Sequence, residues 1–213
     1  MSITIFGSIG SRASRCIWVA EELGLRYEWK PISTLDGSNR RPEYLAINPS
    51  GKIPALADGD VVMTESMAIN QYLAEEYGRG SLWPNERQLR ARVLQWTFWS
   101  ATEIEPFITE LFPQFVTKPV AERDAALTER LVAALLKKLA ELEAALAGRD
   151  FVLERFTLAD VNLAVQTFTF VDRFHLDLGR LPNLRDWTDR CRARPARQRV
   201  ESMVAAAAAP RPG

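Results

Sequence analysis

The fold is decided by residues 53–66, which read IPALADGDVVMTES. Apolar and β-branched residues at 53–57 and 61–63 are typical of two short strands, and the Asp58-Gly59-Asp60 turn predicts that these strands are joined as neighbours. A helix follows, because apolar residues recur at helical spacing from about Ser66 to Tyr77. The stretch therefore predicts strand, strand and helix in close succession.

The chain before this stretch predicts a strand, a helix and a second strand. Ile3–Phe6 is a short β-branched and aromatic run, and residues 27–32 form another strand-like run. Between them, apolar residues recur at helical spacing from Ser14, and Gly24 follows as the expected C-cap. The order β-α-β, an irregular segment and β-β-α predicts a small α/β domain with a mixed sheet over residues 1–80.

Beyond residue 80 the chain changes to helical patterns. A turn-like segment at residues 81–85 predicts a linker. We expect an all-helical domain over residues 86–213, with a long helix that Pro106 bends and an amphipathic helix with a leucine stripe. The predicted helices span residues 86–112, residues 122–147 and a further segment from Pro182 to Arg194.

Composition and charge exclude several classes of protein. The chain has 213 residues, of which 47% are hydrophobic and 25% charged, enough to bury a large core. Lys and Arg number 27, as do Asp and Glu, so there is no basic excess for nucleic acid. Two cysteines and one histidine are too few for a disulfide framework or a zinc site, and we expect no metal. No apolar run could span a membrane, and we expect a cytoplasmic protein.

Residues 157–160, Thr-Leu-Ala-Asp, have the spacing of a helix capping box. In this motif the hydroxyl of Thr157 and the carboxylate of Asp160 each accept a hydrogen bond from the other residue's backbone N–H. The pattern predicts a structural role for Asp160 rather than a catalytic one.

Residues 7–15, GSIGSRASR, lie between the first strand and the first helix. A hydroxyl at this position faces the free N–H groups and the positive dipole end of the helix, an environment that stabilises an anion. Ser11 and Ser14 are the candidates. The alternative is that both serines simply cap the helix.

Residues 48–56, NPSGKIPAL, place a proline at the mouth of a strand. If the Ile53–Pro54 bond is cis, the backbone of Ile53 is turned outward, where it can pair with an extended peptide. The alternative is an ordinary trans proline at a bend.

Residues 64–69, TESMAI, open the helix that follows the strand pair. Ser66 and the adjacent N–H groups can bind a carboxylate, and Glu65 can accept from an ammonium group. An amino-acid head group carries both charges. The alternative is a capping serine preceded by a solvated glutamate.

Five motifs, in this order, resemble the cytosolic glutathione transferases. The resemblance extends to about Val200 and is to serine-type members (theta-like, zeta-like or a related bacterial class), because no tyrosine lies between Phe6 and Ser14. It implies a thioredoxin-like N-terminal domain, an all-helical C-terminal domain and a homodimer. The motifs are Ser11-x-x-Ser14-Arg15, Asn48-Pro49-x-Gly51-Lys52-Ile53-Pro54, Thr64-Glu65-Ser66-x-Ala68-Ile69, Thr157-x-x-Asp160 and Pro182-Asn183-Leu184-x-x-Trp187.

The resemblance implies that the protein uses glutathione as co-substrate and transfers an alkyl or aryl group from small electrophiles to its thiol, or reduces peroxides, in detoxification. It implies that Ser11 donates a hydrogen bond to the thiolate, with Ser14 as the alternative donor. The implied glutathione contacts are Glu65 and Ser66 at the γ-glutamyl end, Ile53 beside cis Pro54 at the cysteinyl part, and Lys52 and Asn39 at the glycyl carboxylate.

The second substrate would lie against the helical domain. The candidates for its apolar wall are Ile9, Trp99, Phe107 and Phe112, each of which is equally a candidate for the core.

Three other functions stay open: a binding or assembly module without activity, a glutathione-dependent isomerase, and a disulfide reductase. The absence of cysteine at position 11 disfavours the reductase, and Cys16 is expected to be buried and inert.

Overall fold

The computed structural model describes residues 3–208, which divide into two units. The first unit contains the chain up to Trp83 together with the residues from Ala193 onward, and the second contains Pro84–Arg192. The boundary after Trp83 lies inside the predicted linker. At the other end, the residues from Ala193 onward belong to the α/β unit and not to the helical unit, where the sequence placed them. Residues 1, 2 and 209–213 lie outside the described residues.

The first unit contains a four-stranded sheet with the order β2-β1-β3-β4. β1 runs parallel to β2 and antiparallel to β3, which is in turn antiparallel to β4, so the sheet is mixed as predicted. The strands are β1 (Ile3–Phe6), β2 (Tyr27–Lys30), β3 (Ala55–Asp58) and β4 (Val61–Thr64).

Prolines shorten two of the predicted strands. β2 ends at Lys30, before Pro31, and β3 begins at Ala55, after Pro54. A proline has no N–H to donate into a sheet ladder, so the pairing stops beside it.

The register of the sheet brings three chain segments to one edge, where β1 ends, β3 begins and β4 ends. Phe6, the last residue of β1, pairs with Ala55, the first residue of β3. Ala55 also pairs with Thr64, the last residue of β4. The segments after Phe6, before Ala55 and after Thr64 therefore leave the sheet side by side.

Helices account for most of the remaining described chain. Prediction and structure agree on the bounds of α3, and α1 begins one residue before the predicted start. In chain order the α-helices within residues 3–208 are α1 (Ala13–Glu22), α2 (Pro42–Leu45), α3 (Ser66–Tyr77), α4 (Arg87–Trp99), α5 (Glu105–Phe112), α6 (Ala125–Ala145), α7 (Leu158–Phe174), α8 (Pro182–Arg192) and α9 (Pro195–Ala208).

Ion pairs fasten the C-terminal helix α9 to α1. Arg194, just before α9, donates to both carboxylate oxygens of Glu22 at 2.7 Å. Arg199 donates to Glu21 Oε2 at 2.6 Å. The side chain of Glu22 is only 7% exposed, so water screens this pair less than an ordinary surface pair. These bonds explain why the end of the chain belongs to the first unit.

The long helix predicted at residues 86–112 is interrupted in the second unit. α4 ends at Trp99, a π-helical turn spans Ser100–Ile104, and α5 begins at Glu105. Pro106 lies in the first turn of α5, where its missing N–H is not needed. The wider turn before it thus accommodates the proline that was expected to bend the helix.

The leucine-rich helix α6 begins after Asp124, whose side chain accepts from Leu127 N at 2.9 Å. The predicted leucine stripe is buried in the C-terminal half of the helix, at Leu135, Leu139 and Leu142.

The capping box at the start of α7 is present, which confirms this prediction. Thr157 N donates to Asp160 Oδ2 at 2.8 Å, while Val152 N and Trp187 Nε1 each donate to Oδ1 at 2.9 Å. Asp160 is fully buried, and burial raises the pKa of its carboxyl group although these donors oppose the shift. Asp160 thus joins the start of α7 to the preceding loop and to α8.

We predict that Asp160→Asn lowers the free energy of unfolding by about 2 kcal/mol, because the new NH₂ group must face a buried N–H donor. Urea denaturation measures the change. Asp124→Asn is the matched control, since it alters an exposed N-cap at which asparagine serves as well as aspartate. Equal stability of the two variants would contradict the prediction.

Candidate functional site at one edge of the sheet

A glycine lets the chain pass close to α1 as it leaves β1. Gly7 has a φ of +145°, and a Cβ atom there would lie 2.7 Å from Ala13 Cβ. The same Cβ would lie 3.5 Å from Ile53 Cβ and 3.6 Å from Pro54 Cα. The start of the serine segment and the Ile53–Pro54 segment are therefore in contact.

Ser11 lies two residues before α1, with its side chain half-buried. Its Oγ donates to the carbonyl of Ser8 at 2.7 Å and accepts from Ala13 N at 3.1 Å. The second bond satisfies the first N–H of the helix, so the hydroxyl does act as a cap. The first bond ends on a neutral carbonyl, which an anion could replace as acceptor.

Ser14, the other candidate, is more enclosed. It is 9% exposed, and its Oγ donates to the carbonyl of Ser11 at 2.9 Å. Of the two hydroxyls, Ser11 is therefore the more accessible to a ligand.

The segment before β3 is organised by Asn48 and Tyr44. Asn48 Oδ1 accepts from Ser50 N at 3.1 Å and from Ser50 Oγ at 2.8 Å. The carbonyl of Lys52 accepts from Asn48 Nδ2 at 2.6 Å and from the Tyr44 hydroxyl at 2.5 Å. The next peptide bond, Ile53–Pro54, is cis, which is the first of the two alternatives left open by the sequence. The backbone leading to Ile53 is thus firmly held.

Asn39 and Lys52, the predicted glycyl-carboxylate contacts, differ in exposure. Asn39 is buried, and its amide donates to the carbonyl of Gly51 at 2.7 Å, which supports the loop. Lys52 is exposed. Arg40, which the sequence reasoning missed, is also exposed and donates to the carbonyl of Ser50 at 3.2 Å. Its position next to Asn39 in the chain was the available signal.

Glu65 and Ser66 follow β4 at the same edge of the sheet. Glu65 is exposed and has a φ of +68°, a left-handed conformation that is uncommon outside glycine. Ser66 is buried. Because it is the first residue of α3, its backbone N–H is among those that have no intrahelical partner. Cys16 Sγ donates to the carbonyl of Ser66 at 3.5 Å, which joins the start of α3 to α1.

Neither cysteine is in a reactive environment. Cys16 and Cys191 are both fully buried. Burial raises the pKa of Cys16 to about 12, although Arg15 lowers it somewhat, so this thiol stays protonated at neutral pH.

The residues predicted to form an apolar wall lie in both units. Ile9 is buried in the first unit. In the second unit, Trp99 donates to Glu141 Oε2 at 3.3 Å and packs edge-to-face on Trp96, and Phe112 packs edge-to-face on Phe174. Trp99 and Phe112 are therefore engaged in packing within their own unit, while Phe107 is half-buried on α5.

Two further searches concern the described part of the chain, residues 3–208. No group of three or more His, Cys, Asp and Glu side chains there is arranged to hold a metal ion. No helix in that range has the length and apolar character needed to cross a membrane.

Both parts of the chain match sequence profiles of one family. The profile described as "Glutathione S-transferase, N-terminal domain" matches residues 1–75, and the corresponding C-terminal domain profile matches residues 99–195.

Individual proteins agree with these matches. Glutathione S-transferase 3 of Zea mays is 34% identical over 197 residues, 89% of this chain and 88% of the relative. Glutathione S-transferase D7 of Drosophila melanogaster is 34% identical over 180 residues, 82% of this chain and 77% of the relative. A theta class glutathione S-transferase from Xanthomonas axonopodis pv. citri, solved with glutathione bound, has a TM-score of 0.86 at 34% identity and covers 93% of this chain and 96% of its own. These findings confirm the predicted thioredoxin-like and all-helical fold class, and the chain belongs to the glutathione S-transferase family, whose members are transferases that act on glutathione.

Proposed function

We propose that this protein binds reduced glutathione at the edge of the sheet, where Ser11 stabilises its thiolate for attack on small electrophiles. The observation that carries the proposal is the convergence of three segments. The Ser11 segment, the Ile53–Pro54 segment and the Glu65–Ser66 segment leave the sheet together, because Phe6, Ala55 and Thr64 are paired in register.

The three segments suit the three parts of an extended tripeptide. The N-terminus of α3 at Ser66 suits the α-carboxylate of the γ-glutamyl end, and the exposed carboxylate of Glu65 suits its ammonium group. The backbone at Ile53 suits the cysteinyl peptide groups. Arg40 and Lys52, both exposed beside the Ser50–Gly51 backbone, suit the glycyl carboxylate better than the buried Asn39.

The pKa of the glutathione thiol must fall for the thiolate to dominate at neutral pH, since a free cysteine thiol has a pKa of about 8.5. A hydrogen bond to a charged acceptor contributes about 1.5–3 kcal/mol, against about 0.5–1.5 kcal/mol for a neutral one. Ser11 Oγ already donates to the carbonyl of Ser8, so only the difference between these values is gained. That difference is about one pKa unit, because one unit corresponds to about 1.4 kcal/mol.

The start of α1 adds to this effect. Negative charge near a helix N-terminus is stabilised by about 0.3–1 kcal/mol. Together the two contributions lower the pKa of the thiol to about 7, so thiolate and thiol are then present in similar amounts at neutral pH.

The thiolate sulfur then forms a bond to an electrophilic carbon, whose leaving group departs with the bonding electrons. The proton of the thiol is released to solvent. We infer that the electrophile is small and that the physiological role is detoxification. Attack on a peroxide oxygen instead would break the O–O bond, release an alcohol and leave glutathione sulfenic acid, which a second glutathione thiol would convert to the disulfide and water.

The buried thiol of Cys16 counts against disulfide exchange in this chain. Thiolates, not thiols, attack disulfides, and the pKa of Cys16 is raised to about 12 by burial. Two cysteines are too few for a disulfide framework, which favours a cytoplasmic location that cell fractionation would check. A binding module without activity would retain glutathione but give no conjugate with a chloronitroarene.

We predict that Ser11→Ala lowers kcat for conjugation of a chloronitroarene about tenfold while the Kd for glutathione changes little, because the lost bond acts on the sulfur. Steady-state kinetics and calorimetry measure the two quantities. Ser202→Ala is the matched control, since Ser202 is exposed on α9 and its hydroxyl donates to the carbonyl of Gln198. Unchanged turnover of Ser11→Ala would exclude Ser11 as the thiolate donor.

We predict that Arg40→Gln and Lys52→Gln each raise the Kd for glutathione about threefold to tenfold, because each removes a charged partner of the glycyl carboxylate. Calorimetric titration with glutathione measures the change. The control is Arg26→Gln: Arg26 is exposed beside the first residue of β2, at the opposite end of the sheet. If neither variant weakens binding more than the control, the glycyl carboxylate lies elsewhere.

We further propose a homodimer, supported by the edge strand β4. Val61 and Val62 are 38% and 54% exposed there, and the edge of a sheet with exposed apolar residues can pair with another chain. Sedimentation equilibrium should give twice the mass of one chain. Val62→Lys should weaken the association, and a monomeric mass for the unchanged protein would overturn the proposal.

A further inference from the structure

Three serines at intervals of three residues, Ser8, Ser11 and Ser14, are linked by successive hydrogen bonds at the start of α1. The carbonyl of Ser8 accepts from both Ser11 N, at 3.0 Å, and Ser11 Oγ, at 2.7 Å. The carbonyl of Ser11 accepts in the same way from Ser14 N, at 3.0 Å, and Ser14 Oγ, at 2.9 Å. Each of these two carbonyls thus accepts two hydrogen bonds from the serine three residues later, one from its backbone N–H and one from its hydroxyl.

We propose that Ser14 is a positioning residue for Ser11: by donating to the Ser11 carbonyl, its hydroxyl holds the Ser11 hydroxyl in place when that group turns to the glutathione thiolate. The inference rests on the proposed function of Ser11. It assigns to Ser14 a role that differs from direct contact with the sulfur.

The argument follows from what Ser11 loses when glutathione binds. To donate to sulfur, the Ser11 O–H must leave the Ser8 carbonyl, which removes one of the two hydrogen bonds from Ser11 to that carbonyl. The side chain of Ser11 is then held by Ala13 N, and its backbone by its own N–H and by the two donors of Ser14. Of the bonds that hold the Ser11 backbone, the one from the Ser14 hydroxyl is made by a side chain, so a substitution at Ser14 can remove it.

The burial of Ser14 makes this bond effective. Ser14 is 9% exposed, so water competes little for its hydroxyl or for the carbonyl that it reaches. Ser11 remains half-buried and open to a ligand. The enclosed hydroxyl therefore supports the accessible one.

A purely structural role for Ser14 predicts a different result. If its bond only stabilised the first turn of α1, its loss would lower the melting temperature and leave the bound thiol unchanged. If Ser14 positions Ser11, its loss weakens the Ser11 bond to sulfur, and the pKa of bound glutathione rises.

The test titrates bound glutathione by the ultraviolet absorbance of its thiolate in Ser14→Ala, Ser14→Thr and Ser14→Cys, together with kcat and KM for a chloronitroarene. For Ser14→Ala we expect the thiol pKa to rise by about half a unit to one unit. We expect kcat to fall about threefold to tenfold, with KM for glutathione within about twofold of the original value. Ser14→Thr retains the hydroxyl and should restore both quantities. If the added methyl group prevents folding, Ser14→Cys, a weaker donor of similar shape, should give intermediate values.

Ser81→Ala is the matched control, because the Ser81 hydroxyl donates to the carbonyl three residues before it, Gly78, at 3.0 Å. It should change neither the thiol pKa nor kcat. An unchanged thiol pKa in Ser14→Ala, with or without a lower melting temperature, would overturn the inference. Ser11→Ala, measured in parallel, separates the two proposals. If Ser11→Ala changes neither the thiol pKa nor kcat, the proposed function fails. If Ser11→Ala changes them and Ser14→Ala does not, only the positioning role of Ser14 fails.

Discussion

The pairing of Phe6 with Ala55, and of Ala55 with Thr64, is the constraint on which the rest of the structure depends. It brings together three segments that are far apart in the chain and that carry the candidate binding groups. Successive side chains in a strand point to opposite faces, so a slip of one residue would move every side chain of β3 to the other face and separate these segments. The core of the α/β unit and its candidate site therefore depend on the same register.

The chemistry proposed at this edge would depend on free helix N–H groups and on hydroxyls that already have partners. The hydroxyl of Ser11 is held by the Ser8 carbonyl and by Ala13 N, so its orientation is set before any ligand arrives. Exchanging a neutral acceptor for an anionic one is favourable, but only by the difference between the two bonds. A modest change in the pKa of a thiol follows from such an exchange, without a general base.

The outcome of the sequence reasoning differs among particular residues. The helix from Ser66 to Tyr77 was predicted in full, because its spacing and its entrance are local signals. β2 ended before Pro31, earlier than predicted, and β3 began after Pro54, later than predicted. Pro106 was accommodated by a π-helical turn that no residue pattern indicated. Asn39 stays a predicted ligand contact; its amide donates to the carbonyl of Gly51, and the exposed Arg40 beside it was not considered from the sequence. These differences arise because a side chain's partners are set by segments distant in the chain.

The sequence by itself determined the family, the alternation of strands and helices in residues 1–80, the capping box of Asp160 and the serine motif before α1. Each strand, helix and motif depends on residues within a few positions of one another, where propensity and spacing act directly, and the family followed from five such motifs in order. Only the tertiary structure decided that the residues from Ala193 onward belong with the α/β unit, through the bonds of Arg194 to Glu22. It also decided which serine is accessible and which is enclosed. Burial and long-range ion pairs depend on how distant segments pack, and no local pattern contains that information.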